Sequence, residues 1–253
     1  MSAQGDGRLR ECLVHLHLPA FRENFDPHAA MAVRESLTYP RYLLGLCELE
    51  LEERRRRRVA KLLRDSRLPR EKTLESLDRA RLPQTAERQL STLLEGDFLD
   101  RADNVLVFGN PGSGKTHLAC ALAHELIRLG RRALFTPCAL LVQRLLWAKA
   151  ELSLERELKR LDGFEAVLID DIGYVQQSRE EMEVLFTLLA HRYERGSILL
   201  TSNLVFSEWE RIFKDPMTTA AAIDRLVHHS VILELNVSSY RMETANKRGK
   251  GEG

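Results

Sequence analysis

Hydrophobic positions after residue 103 alternate between short, continuous apolar runs and longer stretches with helical spacing. The runs are short enough to be buried strands and cover residues 104–108, 132–136, 166–170, 197–202 and 231–235. Apolar residues in 116–129 and 140–161 instead follow the period of a helix. Short apolar strands separated by helices are typical of a parallel sheet covered on both faces. The pattern therefore predicts a three-layer α/β domain with a five-stranded parallel sheet.

Helical spacing also marks the region before residue 69. Apolar side chains recur there at steps of three, four or their multiples, as in Leu44, Cys47, Leu51, Val59 and Leu62. Pro69 and Pro83 then interrupt the periodicity. We therefore expect a small helical domain at 1–68, a linker at 69–100, the α/β domain at 101–242 and a disordered tail at 243–253.

The composition places the chain among globular proteins of the cytoplasm. Its 253 residues are 44% hydrophobic, which is enough to fill a core. Neither a membrane-spanning run of about 20 apolar residues nor a signal-peptide pattern is found, so we expect no membrane association and no export. The four cysteines lack metal-site or disulfide-framework spacing, which favours reduced, packed thiols.

Charge is concentrated in one segment, although the net charge is only +1. Ten Lys or Arg residues lie between Arg54 and Lys72, against two acidic residues, and five arginines are consecutive in EERRRRRVAKLLR. A run this dense repels itself unless solvent or a counter-charge compensates it. It is either a solvated helix face, a contact for an acidic protein surface, or a contact for nucleic acid. No aromatic residues interleave with it, so contact with a duplex backbone is favoured over base stacking.

The segment GNPGSGKT at 109–116 fits the pattern G-x-x-x-x-G-K-[ST] and lies between a predicted strand and a predicted helix. Its glycines allow backbone N–H groups to turn towards phosphate oxygens at the start of the helix. Lys115 is expected to reach the β- and γ-phosphates, and the Thr116 hydroxyl to bind Mg²⁺. The candidate nucleotide-binding residues are Gly109, Asn110, Pro111, Gly112, Ser113, Gly114, Lys115 and Thr116.

Polar residues at the ends of two other strands complete a candidate catalytic site. In AVLIDD, Asp170 is the expected carboxylate on the Mg²⁺ side, and Asp171 is placed to orient or polarise a water. Asp171 also suits an exposed turn. Asn203, after ILLTS, can hold the attacking water or cap the following turn. Arg225 is either an ordinary surface residue or, if subunits assemble, a group that stabilises charge in a neighbour's site.

Several stretches carry a family resemblance, namely GNPGSGKTHLACALAHELIRLG, AVLIDDIGY, LLAHRYERGSILLTSNLVFSEWERIF and AAIDRLVHHSVILEL. With YLLGLCELELEERRRRRVAKLLR and EKTLESLD, they resemble the IstB-like ATP-binding proteins, the transposition helper ATPases of IstA/IstB-type insertion sequences. That family is related to the helicase loader DnaC. The resemblance implies an AAA+ fold, Mg²⁺-dependent ATP hydrolysis stimulated by DNA, homo-oligomers on duplex DNA, remodelling of that DNA and its delivery to an IstA-type transposase.

The resemblance also implies roles for individual residues. Asn203 matches the sensor 1 position, Arg225 matches the arginine finger, and Arg241 in SSYR is placed to approach nucleotide phosphates. Asp171 stands where many relatives carry glutamate. Because eighteen residues follow Leu235, we expect no full C-terminal helical lid.

The resemblance gives the arginine run a function as well. In this family the amino-terminal helical domain helps to engage DNA. One face of the predicted helix is therefore expected to neutralise phosphates along a strand, through Arg54, Arg57, Lys61 and Arg64. Arg55 and Arg58 lie nearer the apolar side and are expected to cover the core.

Three other functions remain open at this point. A DnaC-type helicase loader shares the core motifs and differs in its partner. A phosphotransferase acting on a small molecule would need an acceptor pocket and a mobile, arginine-rich lid, neither of which is recognisable. In the third, ATP is a structural ligand that is scarcely hydrolysed.

Overall fold

The chain divides into two units, Met1–Lys61 and Leu62–Gly253, in this computed structural model. The structure describes residues 3–174, 178–213 and 215–237. Arg241 and the predicted tail at 243–253 lie outside the described residues. The first unit ends at Lys61, seven residues before residue 68, the predicted end of the helical domain.

The N-terminal unit is built from helices, as the apolar spacing predicts. They are α1 (Ala3–His15), α2 (Pro19–Arg34) and α3 (Tyr39–Ser66), the last of which continues into the second unit. Leu13, Phe25 and Leu46 form the buried centre of this unit. Burial of these side chains is the main stabilising contribution available to so small a core.

A buried carboxylate also stabilises the N-terminal unit. Glu50 of α3 accepts a hydrogen bond from the backbone N–H of Ala20 at 2.9 Å, which satisfies a donor in the first turn of α2. Burial opposes ionisation of Glu50, but hydrogen bonds from Arg54 and Ala20 outweigh it and lower the pKa of Glu50. One arginine of the basic run therefore has a structural partner.

The second unit holds the predicted sheet between helices. The helices of this unit beyond α3 are α4 (Gln84–Leu93), α5 (Lys115–Arg128), α6 (Cys138–Ala150), α7 (Leu154–Asp162), α8 (Arg179–Arg192), α9 (Glu210–Phe213) and α10 (Pro216–Val227). The strands are β1 (Asn104–Gly109), β2 (Ala133–Pro137), β3 (Ala166–Asp170), β4 (Ser197–Ser202) and β5 (Ser230–Leu235). All pair in parallel in the order β2-β3-β4-β1-β5.

The five predicted strands are confirmed, each to within one residue at either end. Strands β1, β3 and β4 lie inside the sheet and are buried almost throughout, which is why each reads as a continuous apolar run. Asn104, the first residue of β1, is buried and joins its neighbours. Its side chain accepts a hydrogen bond from the Ile198 N–H at 2.9 Å and donates to the Leu226 carbonyl at 3.0 Å.

The prediction of one helix over 140–161 is wrong, because the chain breaks between α6 and α7. Leu152 has a left-handed φ of 52°. The N–H groups of Leu152 and Ser153 bond back to the carbonyls of Lys149 and Ala148, which is the pattern of a Schellman helix end. Glycine usually occupies the left-handed position of this motif, so a leucine there hides the break from sequence reasoning.

Residues 69–100, which the sequence analysis assigns to a linker, pack within the second unit. Leu90 and Leu93 of α4 are buried, and so are Phe98 and Leu99 beyond it. This segment therefore contributes to the core that surrounds the sheet.

A buried arginine holds the chain together where β4 begins. Arg192 is 1% exposed, and its guanidinium donates to the carbonyls of Leu161, Phe164, Glu165 and Ser197 at 3.0–3.2 Å. Burial lowers the pKa of Arg192 to about 10. The side chain leaves no room for a Cβ at Gly196, which would lie 2.4 Å from a guanidinium nitrogen.

The cysteines carry free thiols, as expected, but they are not all packed. Cys120 and Cys138 are buried, and burial raises the pKa of the Cys120 thiol to about 12. Cys12 is exposed, which corrects the expectation of packed thiols. In the described part of the chain, no helix combines the length and apolar character needed to cross a bilayer.

Candidate nucleotide-binding site

The loop between β1 and α5 has the backbone of a phosphate cradle. Gly112 and Gly114 adopt left-handed φ values of 81° and 96°, which favour glycine. A Cβ on Gly109 would lie 2.5 Å from the Leu235 carbonyl oxygen of β5, so the close approach of these strands needs glycine there. The loop leads into the 14-residue α5, whose first N–H groups are available to an anion.

Lys115 is built into this loop. Its side chain is largely buried, and Nζ donates to the carbonyls of Gly109 at 2.8 Å and Asn110 at 2.9 Å. These bonds hold an ammonium group inside the loop, where it can contribute to binding phosphate oxygens.

Three oxygen-bearing side chains meet beside the loop. Thr116 Oγ1 donates to Asp170 Oδ1 at 2.8 Å, and Thr201 Oγ1 donates to the same oxygen at 2.7 Å. The structure therefore brings Thr116 and Asp170 together, as the two motifs suggest. A hydroxyl beside a carboxylate is an all-oxygen donor set, which fits the ligand preference of Mg²⁺.

Thr201 also connects this cluster to Asp171. The Asp171 N–H donates to Thr201 Oγ1 at 2.9 Å, and Asp171 is half-buried with a left-handed φ of 63°. Non-glycine residues in this conformation are uncommon and concentrate at functional sites. Thr201 is not among the predicted site residues, because the only signal it gives in the sequence is a hydroxyl near the end of an apolar strand.

Asn203 follows β4 at the same edge of the sheet. Its Oδ1 atom is buried and accepts no hydrogen bond within the described residues. The turn that follows is held by Ser202, whose Oγ accepts from the Leu204 N–H at 3.0 Å. A Cβ on Gly173 would lie 2.5 Å from Asn203 Oδ1, so this acceptor sits beside the segment that follows Asp171. Buried acceptors without a partner are rare and call for a functional explanation.

Arg225 lies near the amino-terminal ends of the strands, whereas the phosphate loop lies at their carboxyl-terminal ends. Its Nη1 donates to the Ala221 carbonyl at 3.0 Å, and its guanidinium lies 4.8 Å from the centre of the Phe186 ring. Its backbone carbonyl is 3.5 Å from the side chain of Asn104, where β1 begins. Five residue steps along β1, about 16 Å, separate that point from Gly109. Arg225 therefore does not enter the phosphate site of its own chain.

The arginine run lies on α3, and ion pairs occupy part of it. Arg54 contacts Glu50 and the His17 carbonyl, both at 2.9 Å, and Arg57 contacts Glu53 at 2.7 Å. Both arginine side chains remain more than half exposed.

The other basic residues of α3 are exposed as well. The side chains of Lys61 and Arg64 make no hydrogen bond or ion pair with any residue that the structure describes. Arg55 and Arg58, expected nearer the apolar side, are also exposed. The predicted cationic face is therefore accessible, with two of its four members neutralised by glutamates.

Fold and site together define a P-loop ATPase of the AAA+ class. The sequence profile of the IstB-like ATP binding protein family matches residues 12–248. The chain belongs to this family, and the resemblance stated from its motifs is confirmed.

Relatives in insertion sequences agree with this assignment. The chain is 42% identical over 249 residues to an insertion sequence ATP-binding protein from Sinorhizobium fredii, covering 98% of this chain and 84% of that protein. It is 37% identical over 235 residues to the ATP-binding protein of insertion sequence IS5376 from Geobacillus stearothermophilus, covering 93% and 94%. The chain is thus an ATP-binding protein of the type associated with insertion sequences.

Solved structures support the AAA+ fold alone. The crystal structure of DnaI superposes with a TM-score of 0.55 at 19% identity, covering 66% of this chain and 94% of that one. AMPPCP-bound DnaA from Aquifex aeolicus superposes with a TM-score of 0.57 at 16% identity, covering 73% and 56%. The predicted fold class is therefore confirmed.

Proposed function

We propose that this protein is an ATP- and Mg²⁺-dependent helper ATPase that assembles on duplex DNA and delivers that DNA to an IstA-type transposase in the cytoplasm. The observation that carries the proposal is the connected cluster beside the phosphate loop. Thr116 and Thr201 both donate hydrogen bonds to one carboxylate oxygen of Asp170, and the Thr201 hydroxyl also accepts a hydrogen bond from the backbone N–H of Asp171. This arrangement joins a cation site to a candidate water-activating group.

Each residue of the cluster has a specific task in hydrolysis. Lys115 and the loop N–H groups bind the β- and γ-phosphates. Thr116 and Asp170 hold Mg²⁺, which when bound neutralises charge on the phosphate oxygens. Asp171 orients the attacking water, and Asn203 Oδ1, which has no partner among the described residues, accepts a hydrogen bond from it.

The position of Arg225 supports assembly as part of the proposal. The side chain lies at the sheet edge remote from its own phosphate loop, so it can stabilise transferred charge only in the site of a neighbouring chain. ATP bound at one protomer's edge then strengthens the contact with the next protomer, and hydrolysis weakens it. A homo-oligomer is therefore part of the proposed mechanism.

DNA is bound through the exposed face of α3. Arg54, Arg57, Lys61 and Arg64 neutralise backbone phosphates without reading sequence. The glutamates that pair with Arg54 and Arg57 lie one turn earlier on the same helix, so they hold these guanidinium groups in place. DNA phosphates then replace the glutamates as partners of these two arginines, or bind the arginines together with the glutamates.

The partner is better supported as a transposase than as a replicative helicase. The likeness to DnaI concerns the fold, whereas relatives at 37–42% identity over nearly the whole chain are insertion sequence proteins. A small-molecule phosphotransferase is less well supported, because the described residues around the loop supply no recognisable acceptor site.

ATPase assays combined with sedimentation, with and without duplex DNA, test this proposal. We expect duplex DNA to stimulate turnover and ATP to drive assembly. Lys115→Ala should weaken nucleotide binding and assembly together, whereas Asp171→Asn should trap ATP-loaded oligomers on DNA. A chain that stays monomeric with saturating ATP and DNA would contradict the assembly mechanism, and unchanged turnover in Asp171→Asn would favour ATP as a structural ligand.

Neutralising all four basic residues of the α3 face tests DNA binding. We expect weaker affinity and a flatter dependence of log affinity on log salt, because fewer counterions are released. Replacing Arg8 and Arg101, two exposed arginines outside α3, provides a charge-loss control. An unchanged salt dependence of DNA affinity in the α3 variant would indicate that the arginine run is a solvated helix face and not a DNA contact.

A further inference from the structure

Two turns of the ATPase unit bring together side chains that none of the preceding functions uses. Glu194 lies in the turn between α8 and β4, and His228 and His229 form the turn between α10 and β5. One potential ligand atom from each of these three residues lies within 4.8 Å of the others. The geometry points to a site for a transition-metal dication of the Zn²⁺ type, held by two imidazoles and one carboxylate.

Coordination requires the ligand atoms to approach one another by at most about 1.4 Å, because they lie within 4.8 Å of one another. Ligand atoms about 2.1 Å from a tetrahedral metal lie about 3.4 Å from one another. His229 Nε2 and Glu194 Oε1 are 3.9 Å apart and therefore need to approach by about half an ångström. All three side chains are exposed, which leaves room for that adjustment, and the His228 and His229 rings are already in contact at 4.1 Å between centroids.

Tyr193 provides the outer contact that metal-binding histidines usually have. Its hydroxyl lies 2.8 Å from His228 Nδ1, which fixes the ring and leaves the other nitrogen for a metal. The donor set also selects the kind of ion. Imidazole nitrogens suit Zn²⁺ and its neighbours, whereas Mg²⁺ prefers oxygen ligands, so this site is chemically distinct from the one at Thr116 and Asp170.

Metal binding would link the turn before β4 to the turn before β5, at the end of the sheet where the strands begin. Strand β1 lies between β4 and β5, so a metal held by the two turns bridges across the start of β1. Arg225 precedes His228 by about one helical turn, on the last turn of α10. The bound ion would therefore restrict the helix end that presents Arg225, a consequence that rests on the proposed function.

Zn²⁺ titration of the nucleotide-free full chain, in competition with a chromophoric chelator, tests the site itself. We expect one tight equivalent per chain, at least tenfold weaker binding in His228→Ala and His229→Ala, and about tenfold weaker binding in Tyr193→Phe. His15→Ala removes an exposed histidine of the N-terminal unit and should change nothing. Equal binding in the wild type and the His228→Ala/His229→Ala double variant would overturn the proposal.

Two further measurements separate this site from cysteine binding and from the ATPase mechanism. Co²⁺ in place of Zn²⁺ should give a spectrum without a thiolate charge-transfer band, and such a band, lost in Cys12→Ser, would assign the metal to Cys12 instead. Zn²⁺ should raise Tm in the wild type but not in the double variant. Both readouts need neither ATP nor DNA, so they hold or fail independently of the proposed function.

Discussion

At the scale of single residues, Thr201 connects the parts of the candidate site. Its hydroxyl donates to Asp170 and accepts from the Asp171 N–H, so one side chain of β4 positions two consecutive residues of β3 and its end. The phosphate loop and the paired aspartates were predictable because each is a local pattern. Thr201 was not, because threonine is an ordinary strand residue and its partners are distant in sequence.

Thr201→Val keeps the shape of the side chain and removes both hydrogen bonds. We expect turnover to fall by about tenfold or more, because Asp170 and Asp171 lose their common support. The free energy of unfolding should fall by about 1–3 kcal/mol, because the Asp171 N–H loses its acceptor. Steady-state ATPase assays and denaturant titration measure the two effects.

Thr92→Val makes the same chemical change on the exposed surface of α4 and serves as the control. It should leave turnover and stability unchanged. Wild-type turnover in Thr201→Val would show that the aspartates do not depend on this hydroxyl.

At the scale of elements, the buried strands could be predicted from the sequence, whereas the helix break that depends on the backbone conformation of one residue could not. The strands were predictable because their apolar runs reflect burial on both faces. The break between α6 and α7 was not, because apolar residues continue at helical spacing across it and Leu152 occupies a position that usually holds glycine.

Leu152→Gly should therefore stabilise the protein. Leu152 is 96% exposed, so its side chain contributes little packing, and its left-handed backbone is strained. We expect the free energy of unfolding to rise by about 0.5–1 kcal/mol, after allowing for the greater freedom of glycine in the unfolded chain. Leu152→Ala is the matched control, because it removes the same side chain without relieving φ. Equal effects of the two substitutions would exclude backbone strain as the cause.

Residues 69–75 of the predicted linker contact α5, and these contacts could not be predicted from the sequence. His124 Nε2 contacts the Pro69 carbonyl at 3.0 Å, His117 Nε2 contacts the Thr73 carbonyl at 3.1 Å, and Arg128 pairs with Glu75 at 2.7 Å. Such contacts join side chains to distant backbone and leave no periodic signature.

The Arg128–Glu75 pair predicts a pH dependence. A hydrogen bond from Arg128 lowers the pKa of Glu75 from 4.5 to about 2. A carboxyl whose pKa is lowered on folding stabilises the folded state above its unfolded pKa, and that contribution disappears as pH falls through the folded pKa. We expect the stability difference between wild type and Glu75→Gln to be present at pH 6 and lost between about pH 4.5 and 2.

Denaturant midpoints across that pH range measure the difference. Glu95→Gln removes an exposed carboxylate without a hydrogen bond or ion pair to the described residues, and should match the wild type at every pH. Because the Glu75 pair is exposed, the effect should also shrink in high salt. A difference that persists unchanged at pH 2 would assign it to something other than this ion pair.

At the scale of the whole molecule, the residues proposed for DNA contact and those proposed for catalysis lie on different elements. The basic run is on α3, whereas the phosphate loop and Arg225 lie at opposite edges of the sheet in the second unit. In the proposed mechanism, Arg225 of each chain acts at the nucleotide site of the next chain, because it lies away from the site of its own chain. An assembly of identical chains would then pair a nucleotide site with an Arg225 at each contact.

Mixing two inactive variants tests that complementarity. Arg225→Ala keeps a complete nucleotide site and lacks the arginine, while Asp171→Asn keeps the arginine and lacks the water-orienting carboxylate. If the arginine acts across an interface, each alone should lose turnover by about 10³-fold or more, and their mixture with ATP and duplex DNA should regain a substantial part of it. The mixed interface would join an intact site to an intact Arg225. Replacing the second partner with the Asp171→Asn/Arg225→Ala double variant removes the only source of the arginine and should abolish the recovery. Recovery with the double variant, or none with the single one, would show that Arg225 does not act on a neighbour's nucleotide.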